Sequence, residues 1–178
     1  MGTATRALRA LFFCAITYKE DEAAKKAKAA LEPIFGEASA EMRPYPFSFT
    51  RYYEKEMGEG LWKTFRLFSS PKDPSELARA KLATNAIEAA LASKDGKRRV
   101  NLDPGYITLA KVVLATTKDF SHRVYLGEGI YAEVTLSAKG GAFQPHPWTY
   151  PDFQQESVRQ FLWEARGLLA GSGSLKEG

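Results

Sequence analysis

One cysteine, Cys14, and two histidines, His122 and His146, make up the chain's whole supply of thiol and imidazole. A lone thiol closes no intrachain disulfide, which suits a reducing compartment. Cys14 lies inside the apolar run 11–16 and reads as a small buried hydrophobe. Zinc needs three or four converging nitrogen or sulfur ligands, and no such spacing occurs, so no metal ligands are assigned. Long apolar runs are missing too: none approaches the ~18 residues of a membrane span. The stretch after Arg9 runs into Lys19, Glu20, Asp21 and Glu22 without a cleavage site, so no secretory leader is expected. Arg6 stands where a myristoylation pattern needs Ser or Thr. The phosphate loop G-x-x-x-x-G-K-[ST], the dinucleotide fingerprint G-x-G-x-x-G and the nucleophile elbow G-x-S-x-G are all absent. These absences point to a cytoplasmic protein without a membrane partner.

Charge of one sign is also scarce overall, with 25 Lys and Arg against 21 Asp and Glu, a net +4. The excess is concentrated in one place. Lys94, Lys97, Arg98, Arg99, Lys111, Lys118 and Arg123 outnumber Asp95, Asp103 and Asp119 in residues 93–123. That distribution permits an anionic ligand and equally permits a solvated rim. At 178 residues, 44% apolar and 26% charged, the chain has the composition of one globular domain with a real core. We expect a single α+β domain over residues 1–170 and a flexible Gly/Ser tail over 171–178.

Residues 7–17 read as a buried strand and 20–34 as a helix closed by Gly36. Pro44 and Pro46 make 39–47 extended, and 61–69 alternates as a strand. Asp73, Pro74 and Glu76 form a capping box for a helix running to about Ala92. Residues 98–103 alternate again. The order to this point, β-α-β-β-α-β, is the split arrangement of ferredoxin-like domains. An added helix, a β-hairpin and a C-terminal helix complete the expected fold. The added helix is 104–117: Pro104 suits a helix start and Ile107, Ala110, Val113 and Leu114 keep helical spacing, although six β-branched residues there favour strand. The hairpin joins 122–126 to 130–137 through Gly127-Glu128-Gly129, placing Tyr125 opposite Tyr131 and Arg123 opposite Glu133. Val124, Ile130, Ala132, Val134 and Leu136 form its buried face. Asp152 caps the last helix, which Gly171 ends.

The two-residue period of a strand puts Arg99, Asn101 and Asp103 on one face. Arg123, Tyr125, Tyr131 and Glu133 form a second polar face on the hairpin. If the two converge, they offer cations, an amide, carboxylates and phenols together, a set suited to an anionic small molecule such as a nucleotide or sugar phosphate. In that reading Arg99, Lys118 and Arg123 hold charge, Asn101 bonds amides, and Tyr125 and Tyr131 flank the ligand. Asp103 and Glu133 take a hydroxyl or magnesium, and His122 moves a proton. The cofactor stays open, with magnesium as one candidate, and so does the question of catalysis. A plain Arg123–Glu133 surface ion pair and a structural His122 are the competing readings. Two other functions fit. One is an RNA-binding module with residues 94–99 on phosphates and Tyr45, Tyr52 or Tyr53 stacking on bases. The other is a structural or partner-binding homo-oligomer joined through the aromatic segment 45–54.

Four strings, PYPFSFTRYYEKEMG (44–58), KRRVNLDPGYITLAKVVLATTKD (97–119), HRVYLGEGIYAEVTL (122–136) and FQPHPWTYPDF (143–153), resemble the bacterial family catalogued as domain of unknown function 4416. The resemblance spans roughly residues 8–168. It implies a stand-alone cytoplasmic protein of about this size and carries no site residues over.

Overall fold

The computed structural model describes residues 2–171; of the tail expected over 171–178, Gly171 is the last residue of a helix and 172–178 lie outside the described residues. The elements run β1 (Leu11–Tyr18), α1 (Asp21–Phe35), β2 (Ala38–Glu41), β3 (Tyr45–Phe47), α2 (Glu54–Met57) and β4 (Leu61–Phe68). A 3-10 turn (Pro74–Glu76) leads into α3 (Leu77–Leu91), then β5 (Val100–Ile107), β6 (Lys111–Thr116), β7 (Val124–Gly127) and β8 (Ile130–Lys139). The described chain closes with β9 (Ala142–Pro145), α4 (Pro151–Gln154) and α5 (Glu156–Gly171).

Among the described residues all nine strands join one antiparallel sheet in the order β2-β4-β1-β5-β6-β8-β7. β3 continues the edge beside β4, and β9 continues the edge beside β8. Central β1 is buried on both sides, which is why its sequence is apolar at nearly every position, Thr17 excepted, instead of alternating. Phe12, Cys14 and Ile16 pack under α1 and α3. Leu11, Phe13 and Ala15 pack under Phe153 of α4 and Val158 and Leu162 of α5. The result is an α+β fold of three layers, with helices on both faces of the sheet. Among the described residues no helix is long and apolar enough to cross a membrane.

The local signals at 73–76 are realised in full: Asp73 accepts from the Ser75 N–H at 2.9 Å and Glu76 reaches back to the Asp73 N–H. Three expectations are corrected. Residues 104–117 form no helix; they are most of β5, a turn, and β6. The β-branched residues prevail because Ile107, Val112 and Val113 are buried in the sheet, and Thr108 Oγ1 accepts from the Ala110 and Lys111 N–H groups to reverse the chain. Asp152 caps nothing: Tyr150 occupies the cap position, Pro151 starts α4, and Asp152 is buried. Val124 lies 68% exposed, because β7 is an edge strand whose register with β8 shifts between Tyr125 and Gly127.

A cavity where the sheet divides

β5 pairs with β1 along its whole length but meets β6 only through Gly105, Tyr106 and Ile107. Pro104 has no N–H for a neighbouring strand. Gly105 is the point of closest approach, since a Cβ there would sit 2.6 Å from both Val113 O and Phe13 Cζ. Before Gly105 the two strands diverge, and a cavity of about 660 Å³ opens between them.

Buried backbone groups must be paired, and at the divergence α3 supplies the partners. Leu102 N–H donates to Glu88 Oε1 at 2.6 Å, and Leu102 C=O accepts from Lys81 Nζ at 2.8 Å. Lys81, Thr84 and Glu88 recur at helical spacing and are all buried. Burial raises the Glu88 carboxyl above the usual range, an effect that Lys81 and the Leu102 N–H only partly offset.

The remaining walls are ion pairs and hydrogen-bond chains. Lys81 meets Asp103 Oδ1 at 3.2 Å, and Asn101 Nδ2 donates to Asp103 Oδ2 at 2.7 Å. Burial alone would raise the Asp103 carboxyl, but Lys81, Lys63 and the hydrogen bonds from Lys81 and Asn101 hold it below the usual range. Arg98 donates to Asn101 Oδ1 at 3.0 Å and grips Glu56 through Nε (2.6 Å) and Nη2 (2.9 Å). Opposite, Lys63 Nζ lies 2.5 Å from Asp152 Oδ2, with both side chains almost fully buried. The same ammonium sits 4.9 Å from the Phe47 ring and 5.7 Å from the Phe65 and Phe153 rings.

On the third side Glu133 accepts from Arg123 Nε at 2.8 Å and from Thr135 Oγ1 at 3.2 Å. Arg123 also donates to the Tyr150 hydroxyl at 2.7 Å and to Lys118 O at 3.0 Å. It therefore braces three cavity-lining residues, Glu133, Tyr150 and Lys118, from behind. His122 Nε2 stands 3.4 Å from Glu133 Oε2, and its ring belongs to a stack that runs Phe120, His122, Trp148, His146.

Lys63, Lys81 and Arg98 each have a carboxylate partner. Among the described residues, Lys118 is the cation lining the cavity that has none. Its Nζ lies 3.9 Å from the centroid of the exposed Tyr52 ring. Lys118, through hydrogen bonding and charge, holds the Tyr52 hydroxyl below the usual phenol range.

Of the residues singled out in the sequence, Asn101, Asp103, Lys118 and Glu133 line this one cavity. His122 and Arg123 stand behind it, against Glu133. Arg99 points elsewhere, paired with Glu20 at a smaller recess of about 180 Å³. Tyr125 and Tyr131 pack on each other at 5.1 Å on the hairpin, outside the cavity lining. The expected convergence of two polar faces is therefore partial. Asp103 and Glu133, expected to take magnesium or a hydroxyl, are each engaged by a cation. Among the described residues no group of three His, Cys, Asp or Glu is arranged to hold a metal ion.

Sequence reasoning missed Lys63, Lys81, Asn85, Glu88 and Asp152. Two signals were present: Lys63 interrupts the apolar parity of Leu61, Phe65 and Leu67, and Lys81, Thr84 and Glu88 continue the buried stripe begun by Leu77. Asp152 had none, because its partner lies 89 residues away.

A family model described as "Domain of unknown function (DUF4416)" matches residues 8–168. No curated protein and no solved structure matches the chain.

Proposed function

The chain belongs to the DUF4416 family, whose description names no activity, and we propose a function from the cavity itself: the protein binds an anionic small molecule, a nucleotide or sugar phosphate, between β5 and β6. The observation that carries this reading is Lys118, a cavity-lining cation without a carboxylate partner among the described residues. An incoming anion gains a charge-assisted hydrogen bond there without breaking an internal ion pair. A volume of about 660 Å³ is of the size that small-molecule sites occupy. Any acid–base processing of the ligand would draw on Glu88, which burial raises above the usual carboxylate range, or would first have to release Asp103 from Lys81 or Glu133 from Arg123.

The basic run gives the RNA reading less support. Lys97, Arg98 and Arg99 are ion-paired to Asp95, Glu56 and Glu20 respectively. We also read the first half as a ferredoxin-like split β-α-β-β-α-β unit. The spatial order β2-β4-β1-β5 and the placement of α1 and α3 on one face support that assignment.

The test is calorimetric titration with nucleoside monophosphates and sugar phosphates. At least one should bind, and Lys118→Ala should weaken it about tenfold or more, the range for a hydrogen bond to a charged group. Binding that Lys118→Ala leaves unchanged, or no binding by any compound, overturns the proposal.

A further inference from the structure

The cavity's hydrogen-bonding capacity is mostly spent on itself. Both Asp103 oxygens are taken, by Lys81 and Asn101, and Asn101 spends its carbonyl on Arg98. Glu56 is held by Arg98, Asp152 by Lys63 and Glu133 by Arg123. Two strong groups remain for a ligand. One is the Lys118 ammonium. The other is the carboxamide of Asn85, half-buried in the cavity lining, which makes no side-chain hydrogen bond among the described residues. Beside them three aromatic side chains lie exposed in the same lining; Tyr150 is tied by its hydroxyl to Arg123, which leaves Phe49 and Tyr52.

An amide side chain offers a donor and an acceptor side by side, which matches the paired donor and acceptor on the edge of a nucleobase. An exposed ring offers a face for a planar group. A sugar phosphate uses the ammonium and leaves both of the others idle. Resting on the anion-binding reading above, we propose that the ligand class is a nucleoside monophosphate, with its phosphate at Lys118 and its base read by Asn85 and stacked on Phe49 or Tyr52. Asn85 is then a specificity-determining residue, since the amide alone reads the base edge.

The experiment is calorimetric titration of the full chain with AMP, GMP, CMP, UMP and ribose 5-phosphate. At least one nucleotide should bind about tenfold or more tightly than ribose 5-phosphate, the effect of one stacked base. Asn85→Ala should erase the discrimination among the four bases and leave ribose 5-phosphate binding unchanged, whereas Lys118→Ala should weaken nucleotides and ribose 5-phosphate alike. Tyr52→Leu and Phe49→Leu, measured separately, report which ring stacks. Far-UV circular dichroism confirms that each variant is folded; Asn85 makes no side-chain hydrogen bond among the described residues, so its loss leaves no partner unsatisfied. Equal affinity for ribose 5-phosphate and every nucleotide overturns this inference while the anion site stands. A base preference that survives Asn85→Ala overturns the role of Asn85. Binding by none of the five overturns the inference and the anion site together.

Discussion

Lys63 and Asp152 are the most informative pair to break, because the two single variants should differ. Both side chains are almost fully buried, and removing one partner of a buried ion pair costs about 3–5 kcal/mol through the charge left behind. In Asp152→Ala the stranded charge is the Lys63 ammonium, which keeps its three phenylalanine rings at 4.9–5.7 Å. Such contacts are worth up to about 2 kcal/mol when desolvated, so this variant should fall at the low end, about 3 kcal/mol. In Lys63→Met the stranded charge is the Asp152 carboxylate, which has no other side-chain partner among the described residues, so the loss should reach the high end, about 5 kcal/mol. The double variant Lys63→Met/Asp152→Leu replaces charge with apolar volume and should return to within about 1 kcal/mol of wild type. Urea unfolding measures each value. For a chain of this size the single variants should melt roughly 6–20 °C lower. Two singles that each cost less than about 1 kcal/mol, or a double variant as unstable as the singles combined, would show that Lys63 and Asp152 do not depend on each other for burial.

Three further outcomes are expected. Gly105→Ala should destabilise by about 1–3 kcal/mol in urea unfolding, because its Cβ would meet Val113 O and the contact between β5 and β6 cannot yield on that side; an unchanged midpoint counts against the close approach. Burial raises Glu88, so its stabilising contribution is fully present below the ordinary carboxylate range and is lost as pH rises through the raised value; Glu88→Gln keeps an acceptor for Leu102 N–H and should gain stability relative to wild type in urea unfolding as pH rises above the ordinary carboxylate range, and a difference that does not change with pH contradicts this. Asp103 has the opposite sign, its contribution being present above the ordinary range and lost on acidification, so Asp103→Asn should flatten the acid limb of the stability profile; an acid limb as steep as the wild type's contradicts the assignment.

Much of the fold was legible because its signals are local. The capping box at 73–76, the glycine turn at 127–129 and the pairing of Tyr125 with Tyr131 each follow from a few neighbouring residues. So does the contact of Arg123 with Glu133, although its role as a buried brace does not. Residues 104–117 misled because Pro104 signals a helix start unless the strand it interrupts has no neighbour to donate to, and the divergence of β5 from β6 is a tertiary fact. The same divergence hides Lys81 and Glu88. Their partners are the backbone groups of Leu102, which a continuous sheet would have satisfied without them. Asn101, Asp103, Lys118 and Glu133 were legible as polar positions on strands or their ends, but only the topology assembles them around one space.

The proposed ligand sits between β5 and β6, at Lys118 and Asn85. Titration of the isotope-labelled full chain with a nucleoside monophosphate, followed by backbone and side-chain amide NMR shifts, locates it directly. The predicted shifts cluster at Lys118, the Asn85 and Asn101 side-chain amides, and the diverging ends of β5 and β6. Shifts confined to residues 94–99 or to the β7–β8 hairpin, or none at millimolar nucleotide, would contradict it.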